Sequence, residues 1–372
     1  MKILYDHQMS GRQFYGGVSR YFFEISTRIA ELPGNDVEIF APIYVNAYLR
    51  KVRNVRLRGL QIPAFQWSGY PIKLLNTSLA RLVLPSRRDV GIFHETYYSM
   101  TDCRPRSARR IITVFDMIHE KFPQYFSRWD RTRRIKAHAV QRADHIICIS
   151  ENTRRDLIDI QGIAPEKISV VALGHSLLPF QPSTSVAALP QQPYILYVGG
   201  RVGYKNFAGL LRAYAESTSL REEFSLVCVG GGRFTAQELS LLKHLGLDQD
   251  KTLQVAANDS MLAALYSAAA LFVFPSLYEG FGIPPLEAMS FGCPVACSNT
   301  SSLPEVVGNA AELFNPTDCA EIRTALERIA FSPQRKAQLV SLGHQRVTQF
   351  SWEKCAHETL RVYHKILTGE PA

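Results

Sequence analysis

Two glutamates, Glu279 and Glu287, stand eight positions apart around the turn Gly280-Phe281-Gly282. Arg201 and Lys205 stand four apart behind a second glycine pair, Gly199-Gly200. Carboxylates beside an anion would repel it, so the glutamates fit neutral hydroxyls such as those of a sugar or ribose. The two cations fit the complementary task. A guanidinium forks onto phosphate oxygens and an ammonium supplies a compact positive charge. A diphosphate leaving group needs that compensation as its bond to carbon breaks. Either pair alone is also what an ordinary solvated surface presents; together they describe one basic end and one hydroxyl-gripping end of a site.

The elements that must hold these residues can be read from the same stretch. Leu271–Phe274 is an apolar run long enough for a buried strand and too short for a helix. Pro275 and Ser276 stop it, and Pro284 and Pro285 suit the first turn of a helix that continues through Met289. Strand, glycine loop and helix N-terminus in succession aim backbone N–H groups and the positive end of the helix dipole at one spot.

The run EGFGIPPLEAMSFGCPV resembles the signature of retaining family 4 glycosyltransferases, which have the two-domain GT-B fold. In that family the two glutamates stand at this spacing. The resemblance implies that Glu279, Gly280, Phe281, Gly282 and Ile283 meet the donor diphosphate and sugar, and that Glu287 holds the ribose. VGGRVGYKN is similar to the family's diphosphate-gripping G-R-x(3)-K-N, which assigns Arg201 and Lys205 to the donor and to catalysis, alongside Glu279.

The first half of the chain carries the resemblance more loosely. Lys2–Asp6 reads as a strand and Val18 to about Leu32 as a helix, so Gly16-Gly17 falls between them, where open α/β sheets bind ligands. The resemblance places Gly16 and Gly17 over the donor phosphates. Val90–Phe93 and Arg110–Phe115 read as strands ending near His94-Glu95 and Asp116. Relatives often have a histidine where this chain has Phe115; Asp116 matches the family's acid. Asp116 is therefore expected to orient the acceptor or reacting sugar, with His119 and His94 as acceptor-binding residues. A capping or core role is the alternative for each.

Strand–helix alternation runs through residues 1–175, breaks at a Pro-, Ser- and Gln-rich stretch over 176–193, and restarts over 194–350. The expected architecture is α/β: two Rossmann-like doubly wound domains facing a central cleft, in the GT-B manner. The resemblance implies that the last helix, from Trp352 within 351–372, crosses back to the N-terminal domain. That domain would bind the acceptor, and 194–350 the nucleotide-sugar.

Composition narrows the classes further. The chain has 372 residues, 46% of them hydrophobic and 20% charged, as in ordinary globular proteins. No apolar run approaches the roughly 20 residues that span a bilayer, and no secretory signal opens the chain, so a cytoplasmic location is expected. Seven scattered cysteines without a CxxC pair indicate neither a disulfide framework nor a zinc site. No HxxxH, HExxH or DxD cluster is present. Phosphate charge should then fall to Arg201, Lys205 and helix termini, with no metal or other cofactor. No GxGxxG opens either half, which disfavours a dehydrogenase.

The net charge of +9 is uneven: residues 1–175 hold 27 Lys+Arg against 16 Asp+Glu, and residues 176–372 hold 15 against 17. Beside the basic residues Arg50, Lys51, Arg53, Arg56 and Arg58 lies an apolar helix-like run, Pro71–Leu84, with Trp67 and Tyr70 ahead of it. A peripheral contact with the cytoplasmic face of an anionic inner membrane is expected there. A helix packed on the sheet with arginines at its ends is the alternative.

The resemblance therefore implies a retaining hexosyltransferase. Its donor would be a nucleotide-sugar, a GDP-sugar such as GDP-mannose by likeness to O-antigen and polysaccharide enzymes. Its acceptor would be a hydroxyl of a glycan or lipid-linked glycan, and nucleic acid is not an expected partner. Three rivals stand beside it: a nucleotide-sugar epimerase, a phosphorylase, and a non-catalytic nucleotide-sugar-binding scaffold subunit.

Overall fold

A computed structural model describes residues 1–10, 16–63, 69–175 and 192–369. Two expectations fall outside these: Trp67, and all but the last two residues of the 176–193 stretch. The described residues form two compact units. One takes those of Met1–Lys121 and Phe126–Gly174 together with the chain from Trp352 on; the other takes Phe122–Tyr125 and those of His175–Ser351.

The first unit runs β1 (Lys2–Tyr5), α1 (Gly17–Glu31), β2 (Asp36–Tyr44), β3 (Arg56–Gln61), α2 (Gly69–Val83), β4 (Ile92–Glu95) and β5 (Arg109–Val114). It continues through α3 (Ile118–Lys121), α4 (Thr132–Gln141), β6 (His145–Cys148), α5 (Glu151–Gln161) and β7 (Ile168–Val170). Its seven strands are all parallel, in the order β3-β2-β1-β4-β5-β6-β7. The order reverses between β1 and β4, the switch point of a doubly wound sheet.

The basic helix α4 starts at Thr132, where the Asp130 carboxylate accepts the Thr132 N–H at 2.7 Å just ahead of the first turn. β3 is an edge strand of this sheet, and Arg56 and Arg58 alternate along it. Those arginines reach Glu38, fully buried on β2, which also takes Arg87 at 3.0 Å.

The second unit runs β8 (Tyr194–Val198), α6 (Phe207–Ala215), α7 (Thr218–Glu223), β9 (Ser225–Val229), α8 (Ala236–His244), β10 (Thr252–Val255), α9 (Asp259–Ala268) and β11 (Leu271–Phe274). Then come α10 (Ile283–Ser290), β12 (Val295–Ser298), α11 (Leu303–Val307), β13 (Ala311–Phe314), α12 (Cys319–Ala330) and α13 (Pro333–Val347). Six parallel strands lie in the order β10-β9-β8-β11-β12-β13. The central strands β8 and β11 are buried almost throughout, as expected of strands covered on both faces.

The last helix, α14 (Trp352–Thr368), returns to the first unit and packs on α1. Polar groups lock it there. The Tyr363 hydroxyl lies 2.6 Å from Nδ1 of His94 and 3.0 Å from the Tyr5 hydroxyl, and Arg28 on α1 donates to Glu353 at 2.8 Å. All seven cysteines are free, and all but Cys319 are buried.

Candidate functional site

In the second unit the sheet reverses between β8 and β11, so the loops leaving these strands flank one crevice at their carboxyl ends. A backbone bond joins the loops directly: the Leu277 N–H donates to the Tyr204 carbonyl at 2.8 Å. Through this junction Lys205 and Glu279, 74 residues apart, meet with Nζ 2.6 Å from Oε1. The lysine side chain is 18% exposed and the carboxylate 11%, so the pair is half-sheltered but open to a ligand. The ammonium also sits 5.5 Å over the Phe274 ring and 5.4 Å over that of Tyr204, contacts that favour a cation there.

Glu279 is fixed from behind. Its N–H donates to the Ser301 hydroxyl at 2.9 Å, and the Ser302 hydroxyl reaches the Glu279 and Phe281 carbonyls at 2.9 and 2.8 Å. Gly282 has φ +115° at the entry to α10, and a Cβ there would come within 2.6 Å of Leu303. Only glycine fits that corner. Pro284 and Pro285 carry no N–H, so of the first three residues of α10 only Ile283 offers one. The donors that could meet an anion thus come mostly from the loop rather than the helix. One turn on, Glu287 is 6% exposed. Tyr266, fully buried on α9, has its phenol held well above the usual range by burial first and by the charge of Glu287 second.

Arg201 is placed differently from the phosphate grip expected of it. Its side chain is 3% exposed. Nε donates to Glu238 Oε1 at 2.6 Å; the other nitrogens reach the carbonyls of Gly230, Gly232 and Arg233 at 2.5, 3.0 and 2.9 Å. The guanidinium therefore ties down the loop after β9, whose three glycines take φ of +95°, +71° and +71°. Carbonyls of such a loop turn toward one side, and the neighbouring strand β8 delivers the arginine to them. Glu238 was missed because nothing local marks it except its capping box with Thr235.

In the first unit, Gly16 caps α1 and Gly17 opens it, and among the described residues no side chain comes within 4 Å of where a Gly17 Cβ would stand. Asp116 follows β5, its side chain 30% exposed. Its carboxylate accepts the Ile118 N–H at 3.1 Å, so it caps α3. His119 stacks on Phe126 with ring centres 3.9 Å apart and lies 3.6 Å from Asp130. Phe115 packs edge-on against Tyr21 at 5.3 Å. The acceptor role expected of His94 is not supported: it is fully buried, with Nδ1 on Tyr363 and Nε2 2.9 Å from the Thr113 hydroxyl. Both ring nitrogens are spent inside the core, and burial lowers its pKa to about 3. Among the described residues no group of three or more His, Cys, Asp or Glu is arranged to hold a metal ion.

Comparison with known proteins agrees with this geometry. Residues 15–177 match the family model described as Glycosyltransferase Family 4, and residues 184–345 match Glycosyl transferases group 1. The O-antigen chain mannosyltransferase B of Escherichia coli is 32% identical over 272 residues, 70% of this chain and 71% of that protein. Sucrose-phosphate synthase from Thermosynechococcus elongatus superposes with TM-score 0.75 at 22% identity, covering all of both chains. Anabaena HepE, solved in complex with UDP-glucose, superposes with TM-score 0.72 at 18% identity over 98% of this chain and all of that one. With two parallel doubly wound units and a C-terminal helix returned to the first, the chain is a sugar-transferring enzyme that belongs to the GT-B glycosyltransferases related to the bacterial O-antigen mannosyltransferases.

Proposed function

We propose that this enzyme moves a hexose from a nucleotide-sugar to a hydroxyl of a glycan or lipid-linked glycan, with retention of anomeric configuration, in cell-surface polysaccharide synthesis. The Lys205–Glu279 pair at 2.6 Å carries the reading. It sets a cation for the diphosphate against a carboxylate for the sugar, between the loops that leave β8 and β11 where the strand order reverses. Gly280, Phe281, Gly282 and Ile283 would meet the donor, with Gly16 and Gly17 over its phosphates and Glu287 on the ribose. As the bond from C1 to phosphate breaks, the acceptor oxygen bonds to C1 on the same face and its proton passes to the departing phosphate. The protein then supplies charge and alignment, with Asp116 and His119 orienting sugar or acceptor.

A GDP-sugar, GDP-mannose first, is the proposed donor, supported by the 32% identity to a mannosyltransferase; UDP-sugars are the alternative, supported by the fold's likeness to HepE. A melting-temperature panel of GDP-mannose, GDP, UDP-glucose and UDP decides between them. Ligand at 100 times its dissociation constant stabilises by about 2.7 kcal/mol. Shifts with neither pair would overturn the reading.

Peripheral attachment to an anionic bilayer is part of the proposal. Residues 39–88 contain nine Lys or Arg and no Asp or Glu. Within them α2 exposes Leu74, Leu75 and Leu82, the last at 78%. Basic residues around outward leucines complement a negatively charged lipid surface. Some of that charge is spent at home, since Arg56, Arg58 and Arg87 pair with Glu38. No helix among the described residues is long and apolar enough to cross a membrane. Sedimentation with phosphatidylglycerol vesicles should be lost in Leu74→Asp/Leu82→Asp and weaken with salt. Salt-insensitive binding, or none, refutes the attachment.

A further inference from the structure

Lys136 is a lysine on α4 that the solvent barely reaches: it is 1% exposed. Its ammonium lies 2.8 Å from the Asp116 carbonyl oxygen and 2.8 Å from Glu120 Oε2, and 3.6 Å from Asp116 Oδ1. The ring of Tyr98, itself 5% exposed, lies with its centre 5.5 Å from Nζ. An ammonium has three donors and no acceptor. Here they are directed at both ends of one short segment, Asp116 to Glu120, which follows directly from β5. The Glu120 side chain is 3% exposed, and its second oxygen, Oε1, is buried without a hydrogen-bond partner.

This arrangement is unusual as a device for stability. A buried ion pair contributes little beyond what well-packed apolar side chains of the same volume would. A carboxylate oxygen left unpartnered makes the balance worse. What the pair does achieve is geometric. The Asp116 carboxylate takes the Ile118 N–H through Oδ1. Lys136 holds the carbonyl of the same residue from below, so Asp116 is gripped at side chain and backbone together. Just ahead of the segment, Phe115 packs edge-on against Tyr21.

We propose that Lys136, paired with Glu120, is a positioning residue that sets the placement of Asp116 for sugar transfer. This rests on the reading above that Asp116 orients sugar or acceptor. Misplacing an aligning group by about 1 Å costs roughly 100-fold in rate, so losing Lys136 should act on turnover and leave nucleotide binding alone.

The test uses the full chain, with release of nucleoside diphosphate from GDP-mannose or UDP-glucose in the presence of a mannose oligosaccharide. Lys136→Met should lower kcat by about 10- to 100-fold with the donor KM within twofold, and should also lower the melting temperature, since it strands Glu120. The double variant Lys136→Met/Glu120→Met removes both charges and should recover the melting temperature while kcat stays low. Recovery of kcat together with stability in the double variant overturns the proposal, because the pair would then be structural only. A parallel Asp116→Asn variant separates the two readings. If Asp116→Asn loses activity while the double variant keeps it, the positioning role fails alone. If Asp116→Asn is fully active, the role of Asp116 fails and takes this inference with it.

Discussion

Replacing Lys205 by methionine removes the ammonium but keeps most of the stem that packs near Phe274 and Tyr204. The structure sets the size of the effect. Nζ is 2.6 Å from Glu279 and the lysine is 18% exposed, so the charge sits where water screens it only in part. A charge-assisted hydrogen bond to a phosphate contributes roughly 1.5–3 kcal/mol, or about 10- to 100-fold in affinity. Losing the cation also leaves Glu279 unneutralised beside the diphosphate, which adds to the loss. Titration calorimetry with nucleoside, nucleoside diphosphate and nucleotide-sugar reads this out. The nucleoside should bind as before, and the two phosphorylated ligands should weaken by that factor. Turnover should fall further than affinity, because charge grows on the leaving phosphate in the transition state. A second variant, Lys205→Met/Glu279→Gln, should regain part of the diphosphate affinity by removing the repulsion. Equal losses for nucleoside and diphosphate would show that Lys205 does not touch the phosphates.

Glu287→Gln should weaken nucleotide and nucleotide-sugar alike by about 10- to 100-fold, the value of a charged hydrogen bond; unchanged nucleotide affinity removes it from the ribose. Arg201→Lys cannot reach Glu238 and three loop carbonyls at once, so a stability loss of about 3 kcal/mol is expected from the charge-assisted bonds forfeited. A variant that melts like the wild type but no longer binds diphosphate would instead assign Arg201 to the phosphates. His94 titrates near 3 in the fold because it is buried, against about 6.5 unfolded. A depressed pKa means its contribution is complete above pH 6.5 and is lost as pH falls toward 3. At pH 5 the deficit is ~2 kcal/mol, and His145, lowered to about 4 by burial, adds in the same direction. Denaturant titrations at pH 7 and pH 5 should show a smaller pH slope for His94→Gln; an identical slope would mean that His94 is not the group responsible.

Much of this protein was legible along the chain, and the residues show why. β8 and β11 are short apolar runs closed by Gly or Pro, and parallel central strands must be apolar on both faces. The glycine corner at Gly282 and the proline entry to α10 are local backbone chemistry. Strand–helix alternation then fixes two doubly wound sheets, since parallel strands need crossovers. The return of α14 to the first unit was implied by resemblance, not by its periodicity, which says only that one face is apolar.

Partner choice belongs to the tertiary structure. Nothing near Arg201 in sequence tells that it reaches Gly230, Gly232 and Glu238; the adjacency of β8 and β9 decides it. Lys205 finds Glu279 only because β11 lies on the other side of β8. His94 reads as a strand-end ligand until α14 arrives from 269 residues away and its Tyr363 takes the ring nitrogen. Lys136 reads as one more cation of a basic helix until the fold closes it over Asp116 and Glu120. Propensity and backbone chemistry act within a few residues and so can be read in order. Charge and hydrogen-bond pairing act through space over a few ångströms, and which residues share that space is set by sheet order.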